Sequence, residues 1–208
     1  NPKMLNVVRE LAGGGLIQLP SSVEDLKNPE ISEYVTKYVQ SPGVPGEERI
    51  SGVVQCAAGH PGLYPFFWID PIAENAASEV ELAIDAGVKG FKVICSDFFP
   101  GDSRALKTYR VIAATGRPVL FHSGILWDSM DSSRYNRPAE FEALIDIEGL
   151  RFSLAHISWP WCDELIAVYG KFLAARGRKV EMFVDTTPGT PRIYRKEALT
   201  KLFTVGYD

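Results

Sequence analysis

Two histidines each close an apolar run. Arg117-Pro118-Val119-Leu120-Phe121-His122 is followed by Ser123-Gly124, and Leu150-Arg151-Phe152-Ser153-Leu154-Ala155-His156 repeats the design after a helical interval. Imidazole exchanges protons near neutral pH and is the commonest metal ligand. Strands of a parallel sheet buried on both faces read as continuous apolar runs, and functional groups sit at their carboxyl ends. His122 and His156 are therefore expected to share one site.

Other groups surround this pair in the sequence. Lys92, in Gly90-Phe91-Lys92-Val93-Ile94, is a strand-end cation suited to orienting a substrate carboxylate. Its competing role is an ion pair with Asp70, Asp97 or Asp185, because a buried charge needs a partner. The long polar loop after His122, residues 123–137, carries Trp127, Tyr135, Asn136 and Arg137. Loops at strand ends cover active sites, and an arginine there can hold an anion in bidentate fashion. Trp159, Pro160 and Trp161 follow His156 and are suited to one wall of an apolar pocket. His60 lies in a Pro/Gly turn and reads as a surface histidine.

Ser123 adjoins His122, but no G-x-S-x-G elbow accompanies it, so a serine triad finds no support. No glycine-rich phosphate fingerprint is present either. Cys56, Cys95 and Cys162 are odd in number and far apart, which argues against a disulfide framework or a cysteine zinc site. Cys95 reads as an inert, buried thiol.

The elements that must position these residues become regular from Phe66 onward. Phe66-Phe67-Trp68-Ile69, residues 90–94, 118–122, 151–156 and 180–185 read as strands. Between them, helices are expected over 74–86, 103–115, 138–146 and 160–176, with a last one over 196–203. Ser103 is the expected N-cap of the second, and Gly116 its C-terminal stop. This alternation repeats about every 30 residues, the length of a βα unit, and indicates a parallel sheet. An open doubly wound sheet and a closed barrel both fit, and a shared site built from successive strand ends favours the barrel. The first 65 residues are less regular: a helix over 4–11, a strand over 16–19, helical spacing over 22–39 in two pieces broken near Asn28-Pro29, a loop over 41–46 and a strand over 50–57.

Composition bounds the function. The chain has 208 residues, 46% of them apolar, and a net charge of -4, so a sizeable core is expected and a nucleic-acid surface is not. No apolar stretch reaches the roughly 20 residues of a membrane span, and a cytoplasmic protein is the default expectation.

In order and spacing, several pieces resemble the amidohydrolase-related metal-dependent hydrolases of TIM-barrel fold, which include the aminocarboxymuconate-semialdehyde decarboxylase type. They are Phe67-Trp68-Ile69-Asp70-Pro71, Gly87-Val88-Lys89-Gly90-Phe91-Lys92, Gly116 to Gly124, and Leu154-Ala155-His156 with Trp159-Pro160-Trp161. The resemblance runs from about residue 66 to 208. It implies an α/β chain of (β/α)8 TIM-barrel fold, here the interior portion of one barrel domain with the first and last strands missing. It also implies that His122 is a metal ligand at the end of strand five and that His156, on strand six, sits beside the metal and assists proton transfer. The family's His-x-His pair on strand one and its strand-eight Asp do not occur in this sequence.

The resemblance thus implies a divalent metal, zinc by its ligand chemistry, which activates water against a carbonyl-containing small molecule such as an amide, ester or lactone. Lys92, Arg137, Trp127 and Trp159 are the expected substrate-binding residues. On the same scaffold the alternatives are a metal-dependent non-oxidative decarboxylase and a barrel without catalysis. A small-molecule substrate is the expected partner, with neither nucleic acid nor membrane, and homo-oligomerisation is left open.

Overall fold

The computed structural model describes residues 46–58, 63–187 and 189–207. The expected elements over 4–11, 16–19 and 22–39, most of the loop over 41–46, and His60 lie outside the described residues. Two compact units are present: one comprises the described part of Asn1–Trp68 with Glu81–Gly90, the other Ile69–Val80 with Phe91–Asp208.

In the first unit, residues 50–57 are not the strand expected from their apolar content but belong to helix α1 (Gly46–Ala58). Ile50, Val53, Val54 and Ala57 recur at helical spacing, and Glu47 and Glu48 occupy the first turn, where the helix dipole favours negative charge. Arg49 places its guanidinium 5.0 Å from the Phe67 ring centre and donates to Trp68 O, fastening α1 to strand β1 (Phe66–Trp68). Lys89 N donates to Pro65 O at 2.8 Å. Helix α2 (Ala76–Asp85), whose residues 76–80 belong to the second unit and 81–85 to the first, matches the expected span within two residues.

The second unit contains the parallel strands β2 (Gly90–Val93), β3 (Val119–Phe121), β4 (Phe152–Leu154) and β5 (Met182–Val184). They pair in chain order, with Phe91, Val119, Phe152 and Met182 in register. A doubly wound sheet reverses its strand order at a switch point; these strands show no reversal, as in a barrel wall.

Alternation along the strands creates two faces. Phe91, Val93, Val119, Phe121, Phe152, Leu154 and Met182 are buried beneath the helices. There Phe121 meets Tyr109 and Phe141 edge-on at 5.2 Å each, and Phe152 meets Phe172 at 5.4 Å. Burying each such ring contributes about 1.5–3 kcal/mol. Lys92, Leu120, Ser153 and Phe183 share the opposite face, where Phe183 is 53% exposed.

Helix α3 (Ser103–Thr115) has the expected span, but its N-cap is Asp102 rather than Ser103. The Asp102 carboxylate accepts from Arg104 N at 2.8 Å, and Gly116 closes the helix in the left-handed conformation at φ 69°. Residues 138–146 form a tighter 3-10 helix, Pro138–Leu144, instead of an α-helix. Helices α4 (Cys162–Arg176) and α5 (Arg195–Thr204) lie where expected. Among the described residues no helix is long and apolar enough to cross a membrane.

Candidate functional site

All the groups of the site belong to the second unit. His122 directly follows β3, and its N–H continues the ladder to Val93 O at 2.8 Å. The residue is 9% exposed, and its Nε2 faces the carbonyl of Ile125 at 3.3 Å. A carbonyl only accepts, so this contact places the proton on Nε2 and leaves the lone pair on Nδ1. Burial, with help from the charges of Lys92 and His156, holds the imidazole down at about 4, so it is neutral at pH 7.

His156 lies two residues beyond β4 rather than in the strand, because the backbone reverses at once. His156, Ile157 and Ser158 adopt φ of 63°, 49° and 53°. Three successive non-glycine residues in the left-handed region cost about 1–2 kcal/mol each. The turn is over-determined by its partners. Asp185 Oδ2 accepts from His156 N at 3.2 Å, Asp185 O from Ile157 N at 2.9 Å, and Thr190 Oγ1 donates to His156 O at 3.0 Å. Strain held in this way concentrates at functional sites. It carries the His156 ring to 5.4 Å from that of His122, centre to centre, at 61°.

Asp185, just after β5, also orders the imidazole through Thr187. The Thr187 hydroxyl donates to Asp185 Oδ2 and lies 2.9 Å from His156 Nδ1. A hydroxyl has one proton, and an ionised carboxylate can only accept it, so Nδ1 must be the donor to Thr187. His156 Nε2 then carries the free lone pair. Burial lowers the basicity of His156, partly opposed by the Asp185 charge.

Two glycines permit this closeness. Gly124 sits at φ 108°, and a Cβ there would stand 2.5 Å from Trp159 O, the atom that accepts from Ile125 N at 3.1 Å. The loop after His122 and the turn after His156 are thus clasped backbone to backbone. Gly189 crosses the His156 ring so closely that a Cβ would lie 2.4 Å from Cγ. Asn136, fully buried, supplies a third tie: its Nδ2 donates to Cys95 O at 2.7 Å, and its carbonyl accepts from Ser123 Oγ and Gly124 N. Sequence reasoning placed Asn136 in the loop without this role, and missed Thr187, Gly124 and Gly189; the only local signal was the density of small, turn-forming residues after each strand.

Lys92 reaches the same cluster from the less buried face of β2. Burial lowers its ammonium to about 8, with Asp185 and Cys95 pulling the other way. No carboxylate among the described residues lies within salt-bridge distance of it, so the ion pair considered for it with Asp70, Asp97 or Asp185 is not formed. Burial pushes the Cys95 thiol up to about 12, as expected for an inert cysteine.

The remaining expected binding residues are engaged elsewhere or open to solvent. Arg137 pairs with Glu164 at 2.5 Å, with its guanidinium 5.1 Å from the Trp161 ring centre, which ties residues 137–139 to α4. Trp127 is 79% exposed. Trp159 stacks on Tyr194 at 6.0 Å and lines a cleft of about 300 Å³ with Trp161, Glu197 and Lys201.

A catalytic zinc takes three protein ligands and one open position. His122 Nδ1 and His156 Nε2 offer two nitrogen donors, but among the described residues no group of three or more His, Cys, Asp or Glu is placed to hold a metal ion. The described residues alone therefore do not fit a zinc site.

A family model described as the C-terminal part of 4-hydroxyphenylacetate 3-hydroxylase matches residues 1–53. The oxygenase component of 4-hydroxyphenylacetate 3-monooxygenase from Escherichia coli is 45% identical over 49 residues, 23% of this chain and 9% of that protein. The family-model match ends before β1 and includes none of the site residues. Among solved structures, an uncharacterized TIM-barrel protein from Bordetella bronchiseptica is similar at a TM-score of 0.55 and 18% identity, over 96% of this chain and 83% of that one. The chain has the α/β fold of a TIM barrel, and strands β2 to β5 are parallel.

Proposed function

We propose that the strand-end site is that of a hydrolase acting on a carbonyl-containing small molecule, an amide, ester or lactone, of the amidohydrolase-related kind. The observation that carries this reading is the His122–His156 pair at 5.4 Å on adjacent strand ends, with His156 held by Thr187 and Asp185. A neutral His156 with its lone pair on Nε2 is a base ready to take a proton from an attacking water, a contribution of about 10²–10⁴ in rate. The imidazolium that results is favoured by the Asp185 carboxylate behind Thr187, and the Lys92 ammonium is suited to holding developing negative charge on the substrate.

In this reading His122 is also a ligand of a divalent metal, zinc by its chemistry, which would supply activated water. The other ligands would come from outside the described residues. A second reading, non-oxidative decarboxylation, is favoured by one observation: Lys92 is a half-buried cation without a salt-bridge partner among the described residues, suited to a substrate carboxylate.

The test measures metal content and turnover together, on a panel of lactones, esters and amides and on carboxylated substrates assayed for carbon dioxide release. His156→Ala should lose at least 100-fold in kcat with metal content retained, and His122→Ala should lose the metal. Full turnover in both variants would refute the assignment, and absence of both metal and turnover in the wild-type chain would leave a non-catalytic barrel.

A further inference from the structure

We propose that Lys92 is a nucleophilic amine that condenses with the carbonyl group of a small aldehyde or 2-oxo acid to form an imine. The inference shares the strand-end site with the hydrolytic reading but needs neither a metal nor activated water.

The first support is position. Lys92 is in register with Leu120, and through it with Ser153 and Phe183, so the strand residues beside it on that face are apolar or small, and the Asp185 carboxylate beyond β5 acts on it without forming an ion pair. The second is the absence of a contacting counter-ion. Among the described residues Lys92 forms no salt bridge, whereas Lys171 pairs with Glu142 and Lys201 with Asp163 and Glu197. A lysine becomes a nucleophile when it is desolvated and left without a contacting anion, and burial accordingly brings its ammonium to about 8.

The third support is the presence of proton carriers. Two neutral imidazoles stand at the ends of the next two strands and interact electrostatically with Lys92. Imine formation needs such groups. The amine nitrogen bonds to the carbonyl carbon, the C=O π pair moves to oxygen, and a proton passes from nitrogen to that oxygen to give the carbinolamine. His156, its Nε2 lone pair free, is suited to relay this proton. A second proton, lent by the imidazolium, then reaches the hydroxyl, the C–O bond breaks, water leaves, the nitrogen lone pair forms C=N, and the remaining N–H proton returns to the imidazole. Amine and carbonyl give imine and water, with no change of oxidation state. Ser153, the small residue two strands away on the same face, makes a carbonyl compound of a few carbons the probe of choice.

The test uses the intact chain with glyoxylate or glycolaldehyde and sodium cyanoborohydride, which reduces an imine to a stable secondary amine. Intact mass and peptide mapping read the adduct. The expected result is labelling at Lys92 at least ten times faster than at the exposed Lys107 and Lys196, with loss of the fast phase in Lys92→Arg. Labelling of Lys92 no faster than of those surface lysines in the wild-type chain overturns the proposal, whether or not the variant folds. His122→Ala separates the two readings, because His156 alone is the proton relay: imine trapping at Lys92 that persists while metal and hydrolysis are lost supports the amine, and trapping lost from a folded His122→Ala protein overturns an imine chemistry that needs no metal.

Discussion

Replacing Lys92 with methionine should make the protein more stable at neutral pH. The two side chains are similar in length, and the substitution removes a cation that the fold holds against its desolvation cost. The fall of the ammonium from its ordinary 10.5 to about 8 on folding corresponds to roughly 3 kcal/mol. The folded-state value is depressed, so the unfolded chain binds the proton more tightly. The cost is complete below about pH 8, is relieved as pH rises through 8 to 10.5, and is gone above that range. Urea unfolding in the presence of reductant should show Lys92→Met about 2–3 kcal/mol more stable than wild type at pH 7, a rise in Tm of roughly 4–12 °C, with the difference below about 1 kcal/mol near pH 10.5. Tyrosine and cysteine titrations common to both proteins cancel in this comparison. A variant less stable than wild type at pH 7, or a difference independent of pH, would refute the reasoning. The expected accompaniment is loss of activity, since a residue retained at such a stability cost is one that function requires.

Three other perturbations test the rest of the site. Gly124→Ala places a methyl 2.5 Å from Trp159 O in a backbone held at φ 108°, and should cost about 1–3 kcal/mol by thermal unfolding while lowering kcat, because it parts the two histidine loops. Thr187→Val keeps the shape but breaks the link from Asp185 to His156. A kcat about tenfold lower with native stability is the expected result, and in the wild type the acid limb of the pH–rate profile should fall below pH 6.5 because burial lowers His156. In metal-free protein, His122 should cost stability as pH falls from 6.5 through about 4, since the unfolded chain takes up that proton first; the loss, up to about 3 kcal/mol, should disappear in His122→Gln when unfolding is followed against pH.

Local pattern was enough for much of the frame. Apolar runs of strand length located β2 to β5, those of β3 to β5 ending in a histidine or an acid, and Gly116 marked the end of α3 because only a residue without a Cβ adopts its left-handed conformation readily. The same local reasoning misassigned residues 50–57. Val53 and Val54 suit a strand by propensity, yet helical spacing from Ile50 to Ala57 and the acidic first turn prevail in α1. Asp102 displaced Ser103 as N-cap because its carboxylate reaches Arg104 N, a matter of one residue that composition does not distinguish.

The sequence by itself determined that His122 and His156 end successive parallel strands, because the two-residue period of a strand and the length of a βα unit are written locally. Only the tertiary structure decided what those histidines can do. Thr187 meets a ring 31 positions away in the chain, Asp185 holds a backbone turn at His156, and Gly124 lets Trp159 approach. It likewise committed Arg137 to Glu164 and left Lys92 without a salt-bridge partner among the described residues. Such contacts depend on register and on how loops cross above a sheet, and no periodicity along the chain encodes them.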